Sequence, residues 1–177
     1  YVESRDHAIR KKAEIMIDHF HDEVLAKKKI GGRARAMVIT GGIERAMQYK
    51  VAFDDYLTER KSPFKAIVAF SGEHEFRGAN MDEAKMNGFP SSRIETIFRS
   101  DDGYRFLIVA DKFQTGYDEP LLHTMYVDKI LSGGRAVQTL SRLNRAHPQK
   151  HDTFILDFVN ISEVIQKSFE PYYRTTI

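Results

Sequence analysis

At 177 residues, with 42% hydrophobic and 29% charged side chains, the chain has material for one domain with a sizeable core and the balance of a globular protein. Lysine and arginine number 27 against 25 acids, a formal charge of +2, so a nucleic-acid footprint would have to come from local clustering. The absence of cysteine excludes disulfides and thiolate metal sites and fits a cytoplasmic protein. No apolar run approaches the ~18 residues that cross a bilayer, and no signal peptide is visible. A start at Tyr1 and an end in Thr-Thr-Ile lead us to expect a piece of a longer protein.

Residues 3–29 read as one long helix, with Ile9, Ala13, Ile15, Met16, Phe20, Val24 and Leu25 recurring near the helical period. Its cationic end, Lys27 to Lys29, suits the negative pole of the helix dipole, and Gly31-Gly32 stop it. A solvated face explains these lysines more simply than a DNA-binding stripe does. Residues 36–39 form an all-apolar strand of the kind found in parallel sheets covered on both faces. Thr40-Gly41-Gly42 then turn into a helix over 43–58. Its free N–H groups and the Thr40 hydroxyl could hold a phosphate, or the turn could simply cap and redirect the chain. The next strand, 64–70, ends in Ser71-Gly72, where Ser71 has a weaker claim of the same kind. Residues 73–90 are polar and aperiodic, and predict a long loop with at most a short helix near 81–86. A helix over 91–99 and the Asp101-Asp102-Gly103 turn follow.

The most informative stretch is 106–147. An apolar strand (106–110) is followed by Gln114-Thr115-Gly116-Tyr117-Asp118, a second apolar strand (122–127), Ser132-Gly133-Gly134 and then a helix. Gln138, Arg142 and Arg145 stand at i, i+4 and i+7 on that helix, while Ala136, Leu140 and Leu143 repeat the spacing on the opposite side. Two guanidiniums on one face, backed by an apolar face that fixes the helix, suit the clamping of phosphate. From Lys129 to His151 there is no acid, whereas Lys129, Arg135, Arg142, Arg145 and Lys150 are present. A last strand (153–158) and a last helix (161–169) complete the pattern. Strands alternating with helices predict an α/β domain with a parallel sheet and right-handed crossovers.

Gln138-x-x-Ser141-Arg142-x-x-Arg145 resembles motif VI of superfamily 2 helicases and translocases, and Thr115-Gly116-Tyr117-Asp118 resembles their motif V. The wording of both blocks is most similar to the restriction (motor) subunit of type I restriction–modification enzymes, with the resemblance running over about 35–157. Ser141 stands where many relatives have glycine, and Thr115 where many have arginine, which leaves the contact of Thr115 less defined than that of Asp118. The resemblance implies a RecA-like second motor domain over 33–177. The helix of 1–32 would pack on, or link to, a preceding domain. It also implies that Arg142 and Arg145 act as arginine fingers, that Gln138 couples them to the partner domain, and that Gly116 and Asp118 lie near the nucleotide ribose. Thr40, at the position of motif IV, would touch the DNA backbone together with Ser71 and Thr115.

ATP hydrolysis by such motors needs a phosphate-cradling loop, a metal-holding acid and cations for the transition-state charge. The cradle would read GxxxxGK(S/T), and no such segment occurs in this chain. Asp111, Asp128 and Asp157 therefore read as strand-end caps. Glu83-Ala84-Lys85 spells the ExK of nuclease sites but lacks a flanking strand. His19 and His21 are neighbours on different helix faces, so no metal set is evident. The resulting expectation is the second motor domain of an ATP-dependent double-stranded DNA translocase, the restriction subunit of a type I endonuclease. ATP and Mg²⁺ would be held mainly by the preceding motor domain, and modification and specificity subunits would be partners. By itself the chain should be inactive, and its guanidiniums are expected at the carboxyl edge of the sheet. The competing expectations are another superfamily 2 helicase or remodeller, and a non-catalytic nucleic-acid docking module.

Overall fold

The computed structural model describes residues 2–110, 112, 117–131 and 133–159. The predicted helix 161–169, Asp111, Thr115 and Gly116 lie outside the described residues.

Helix α1 (Val2–His19) runs into a π-helical turn, Phe20–Leu25, and stops where Lys28, Ile30 and Gly31 take positive φ. Glycine suits the backbone at position 31. Its φ is +61°, and a Cβ would sit 2.5 Å from the Gln149 side chain. The buried stripe of the helix is Ile9, Ala13, Met16, Ile17, Phe20 and Val24. Ile15, expected on that stripe, is instead half exposed, because the period through 9, 13, 16 and 20 leaves position 17 inside and 15 outside.

Five parallel strands follow: β1 (Arg35–Thr40), β2 (Lys65–Ala69), β5 (Tyr104–Val109), β6 (Leu122–Asp128) and β7 (Phe154–Asp157), in the order β2-β5-β1-β6-β7. Between them lie α2 (Ile43–Glu59), α3 (Glu83–Asn87), a 3₁₀ turn (Ser91–Arg93) with α4 (Ile94–Ser100), and α5 (Gly133–Leu140) with a 3₁₀ turn (Ser141–Asn144). Alternating strand residues divide the core in two. Val38, Phe106, Ile108 and Tyr126 pack with Phe20 of the π-helical turn and Phe53 of α2. Met37, Ile39, Leu107, Val109, Met125 and Val127 pack with Phe98 of α4 and Ala136 and Leu140 of α5. The expected all-apolar strands follow from this burial on both faces.

The stretch read as a loop differs. It contains an antiparallel hairpin, β3 (His74–Phe76) and β4 (Ala79–Met81), turned at Arg77 and Gly78, both at positive φ. Only Phe76 and Met81 press on the core, so three-residue strands left no alternation to detect. Asp82 caps α3 by accepting from the Lys85 N–H at 2.8 Å. No helix among the described residues is long and apolar enough to cross a membrane.

Candidate nucleotide-facing edge

In a parallel sheet a helix that leaves the carboxyl end of one strand must run back toward the amino end. The twelve residues 133–144 cover roughly 18 Å if helical, against roughly 23 Å for the seven-residue β6. Arg142 and Arg145 therefore arrive beside the amino end of β6, not at the carboxyl edge where they were expected. Ala136, Leu140 and Leu143 are fully buried, as their spacing predicts, and hold this segment against the sheet. The exposed side is less regular than predicted. The α-helix tightens into a 3₁₀ turn at Ser141, whose hydroxyl donates to the Gln138 carbonyl at 3.2 Å, and Arg145 is already extended. Gln138, Arg142 and Arg145 thus do not share one α-helical stripe; Gln138 projects from α5 into solvent.

The guanidiniums meet the segment 117–121, which leads into β6. Arg142 Nη1 donates to the Tyr117 carbonyl at 2.9 Å, and Arg145 Nε lies 2.9 Å from Asp118 Oδ1, with both side chains of that pair more than half exposed. All five successive carbonyls of this segment accept hydrogen bonds. The donor to Asp118 is Arg99 Nη2, to Glu119 the Leu122 N–H, to Pro120 Lys150 Nζ, and to Leu121 the Arg35 N–H. A row of carbonyl dipoles offers partial negative charge along one line, and three cationic side chains from separate parts of the chain answer it. Arg99 also reaches the buried Glu119 carboxylate at 3.3 Å. Burial, and then the neighbouring Arg145, hold the Arg142 guanidinium below its ordinary pKa. Burial brings Lys150 down to about 8, against the opposing pull of Glu119 and Asp118.

Sequence reasoning found Asp118, Arg142 and Arg145 here and missed Arg99, Glu119 and Lys150 as their neighbours. These converge only through the fold, and no local spacing announces them.

Thr40, Ser71 and Asp128 lie at the opposite, carboxyl edge, at or just past the ends of β1, β2 and β6. Thr40 is fully buried; its hydroxyl is 2.9 Å from the Val109 carbonyl and 3.2 Å from that of Gly42, and donates inward rather than to solvent. Gly42, at φ +155°, opens α2 immediately after it. Ser71 is exposed, and its carbonyl lies 2.9 Å from His74 Nε2. Asp128 is more than a strand-end cap: it is 1% exposed, accepts from the Tyr49 hydroxyl at 2.6 Å and pairs with Lys12 at 3.1 Å. Asp157 does act as a cap, accepting from the Val159 N–H at 2.8 Å. Glu83 is buried and accepts from the Phe70 N–H while pairing with Lys112, an arrangement that anchors α3. His19 and His21 serve different faces, at Tyr126 and Ser62 respectively. Among the described residues no three histidines or acids cluster in a way that could hold a metal.

The parallel sheet with its flanking helices has a RecA-like fold. The C-terminal part of the Fun30 ATPase domain superposes with a TM-score of 0.54 at 10% identity, over 90% of this chain and 44% of that one, a likeness that shows the fold alone. A model of the type I restriction enzyme subunit R domain 3 matches residues 79–160. The putative type I restriction enzyme MjaVIIP endonuclease subunit of Methanocaldococcus jannaschii is 28% identical over 93% of the chain, and the chain spans 16% of that relative's length. The type I restriction enzyme HindI endonuclease subunit of Haemophilus influenzae is 30% identical over 47% of the chain, which spans 8% of it. Over most of its length the chain is thus similar to the R subunits of type I restriction enzymes.

Proposed function

We propose that the chain is the second motor domain of an ATP-dependent double-stranded DNA translocase, the restriction subunit of a type I restriction endonuclease. One observation carries the reading. The two blocks that resemble motor motifs V and VI, some two dozen residues apart, meet in space through Arg145 and Asp118, at an exposed edge where a second lobe can approach. ATP and its Mg²⁺, held mainly by a preceding motor domain, would supply the anionic triphosphate to this edge. Arg142 and Arg145 turn to its γ-phosphate. The ribose comes to Gly116 and Asp118, and Asp118 accepts from its hydroxyls, in doing so releasing Arg145. Gln138, exposed on α5, meets the partner lobe. The helix of residues 1–32 would pack on or link to that lobe.

The Asp118–Arg145 pair is exposed, so opening it costs no more than about 1 kcal/mol. An arginine finger is worth roughly 10³–10⁵ in rate in related phosphoryl transfers, so a pair this weak does not hold it back. DNA would lie along the opposite edge, against the turn after β1 and Ser71, with Thr115 as a further contact to its backbone. Because the Thr40 hydroxyl is committed to Val109, its contribution would come through the peptide N–H groups of the turn it anchors. Modification and specificity subunits would complete the assembly.

The test is Arg145→Ala in the full-length protein. A motor loses ATP turnover and keeps its affinity for duplex DNA; a docking module loses salt-dependent affinity and has no turnover to lose. Stimulation by RNA or single strands in place of duplex DNA would assign the chain to another superfamily 2 helicase. With no GxxxxGK(S/T) loop of its own, the isolated chain should show no ATPase activity, and measurable phosphate release from it would contradict this division of labour.

A further inference from the structure

The half-buried Lys150 ammonium sits at the amino edge among carbonyls. It donates to the Arg145 carbonyl at 2.9 Å and to the Pro120 carbonyl at 3.5 Å. Its own backbone is fixed by a turn, with the Lys150 N–H donating to the His147 carbonyl at 3.0 Å and the Gln149 N–H to His147 Nδ1 at 3.1 Å. One ammonium therefore spans two pieces of chain: the piece that carries Arg145 and the piece that carries Asp118. We propose that Lys150 is a positioning residue for the Arg145 guanidinium, fixing the distance between the arginine-bearing and the acid-bearing segments by bridging their carbonyls.

The proposal rests on the reading of Arg145 as a phosphate-facing arginine. Arg145 lies beyond the last helical turn, in extended backbone, and has no helix to fix its direction. Its side-chain pairing with Asp118 is exposed and would be given up when nucleotide binds. The grip on its backbone has no such competitor, since a carbonyl offers nothing to a triphosphate. Partial burial disfavours the ammonium and brings its pKa down to about 8, while the two carbonyls hold it in place. A displacement on the order of 1 Å at a reacting group lowers rates about 10²-fold.

The experiment is a double-mutant cycle in the full-length protein, reading DNA-stimulated ATP turnover, KM for ATP and duplex-DNA affinity. K150M alone is expected to lower kcat by about 10²-fold, with KM and DNA affinity within about twofold. In an R145A background K150M should cost nothing further, because the residue it positions is gone. An unchanged kcat for K150M, beside a large loss for R145A, would overturn the proposal and leave the motor reading intact. Equal losses from K150M in both backgrounds would also overturn it, by showing a general structural role. If R145A itself leaves turnover unchanged, the motor reading fails and the proposal goes with it. K150Q, which keeps a donor without the charge, substitutes in the same cycle if K150M does not fold.

Discussion

The two edges of this sheet carry similar residue types under opposite conditions. At the carboxyl edge Thr40 and Asp128 are buried and their polar atoms are spent on Val109, Tyr49 and Lys12. At the amino edge Asp118 and Arg145 are exposed and pair with each other. A buried acid with two donors belongs to the fold, because releasing it strands its partners away from water. An exposed acid and base held by one contact remain available to whatever charged group arrives. Accessibility of the polar atom, more than residue type or position after a strand, separates the structural acid Asp128 from the addressable acid Asp118.

The sharpest way to break this contrast is at Arg142. Arg142→Ala in the full-length protein is expected to lower ATP turnover by about 10³-fold or more, with duplex-DNA affinity within about twofold, measured by phosphate release and by binding at fixed salt. At the other edge the expected loss is one of stability. Asp128→Ala leaves the Tyr49 hydroxyl and the Lys12 ammonium without their acceptor, and should cost about 3 kcal/mol in chemical denaturation. A loss below about 1 kcal/mol would show that this edge is not a buried network. Thr40→Val keeps the shape and removes the hydrogen bond to Val109, for a cost of about 1 kcal/mol. Asp118→Ala removes an exposed partner and should change stability by less than about 1 kcal/mol. An Asp118 variant as destabilised as the Asp128 one would erase the distinction between the edges.

Much of the fold was legible because buried parallel strands must be apolar throughout. Residues 36–39 and 106–110 could be little else, and Ala136, Leu140 and Leu143 announced the buried face of α5. The hairpin at 74–81 escaped because its strands are short and mostly exposed. In the site, sequence order revealed the acid and the two arginines but not their edge, although the direction of a helix returning from β6 already implied it. The inward turn of Thr40 depends on which side of the strand it falls, and on Val109 of a neighbouring strand. Arg99 and Lys150, 19 and 32 residues from Asp118, become its neighbours only when the sheet assembles. Local pattern carries little information of that kind.

The faintest contrast concerns protons. His123, at the amino end of β6, is 2% exposed; its Nε2 lies 2.9 Å from Asp152 Oδ1 and its Nδ1 2.8 Å from Thr124 Oγ1. Burial lowers its pKa from the ordinary 6.5, and outweighs the opposing effect of Asp152. The sign follows from proton uptake. On acidification the unfolded chain binds a proton at His123 near 6.5, while the folded chain binds it only at lower pH. Between those two values the unfolded state holds more protons, so stability falls as pH falls; below the folded value this slope ends. His123→Gln should flatten that part of the curve, seen as a smaller shift of the denaturation midpoint across pH 6.5. If His123→Gln leaves the slope intact, burial of this imidazole does not govern how the fold responds to acid in that range.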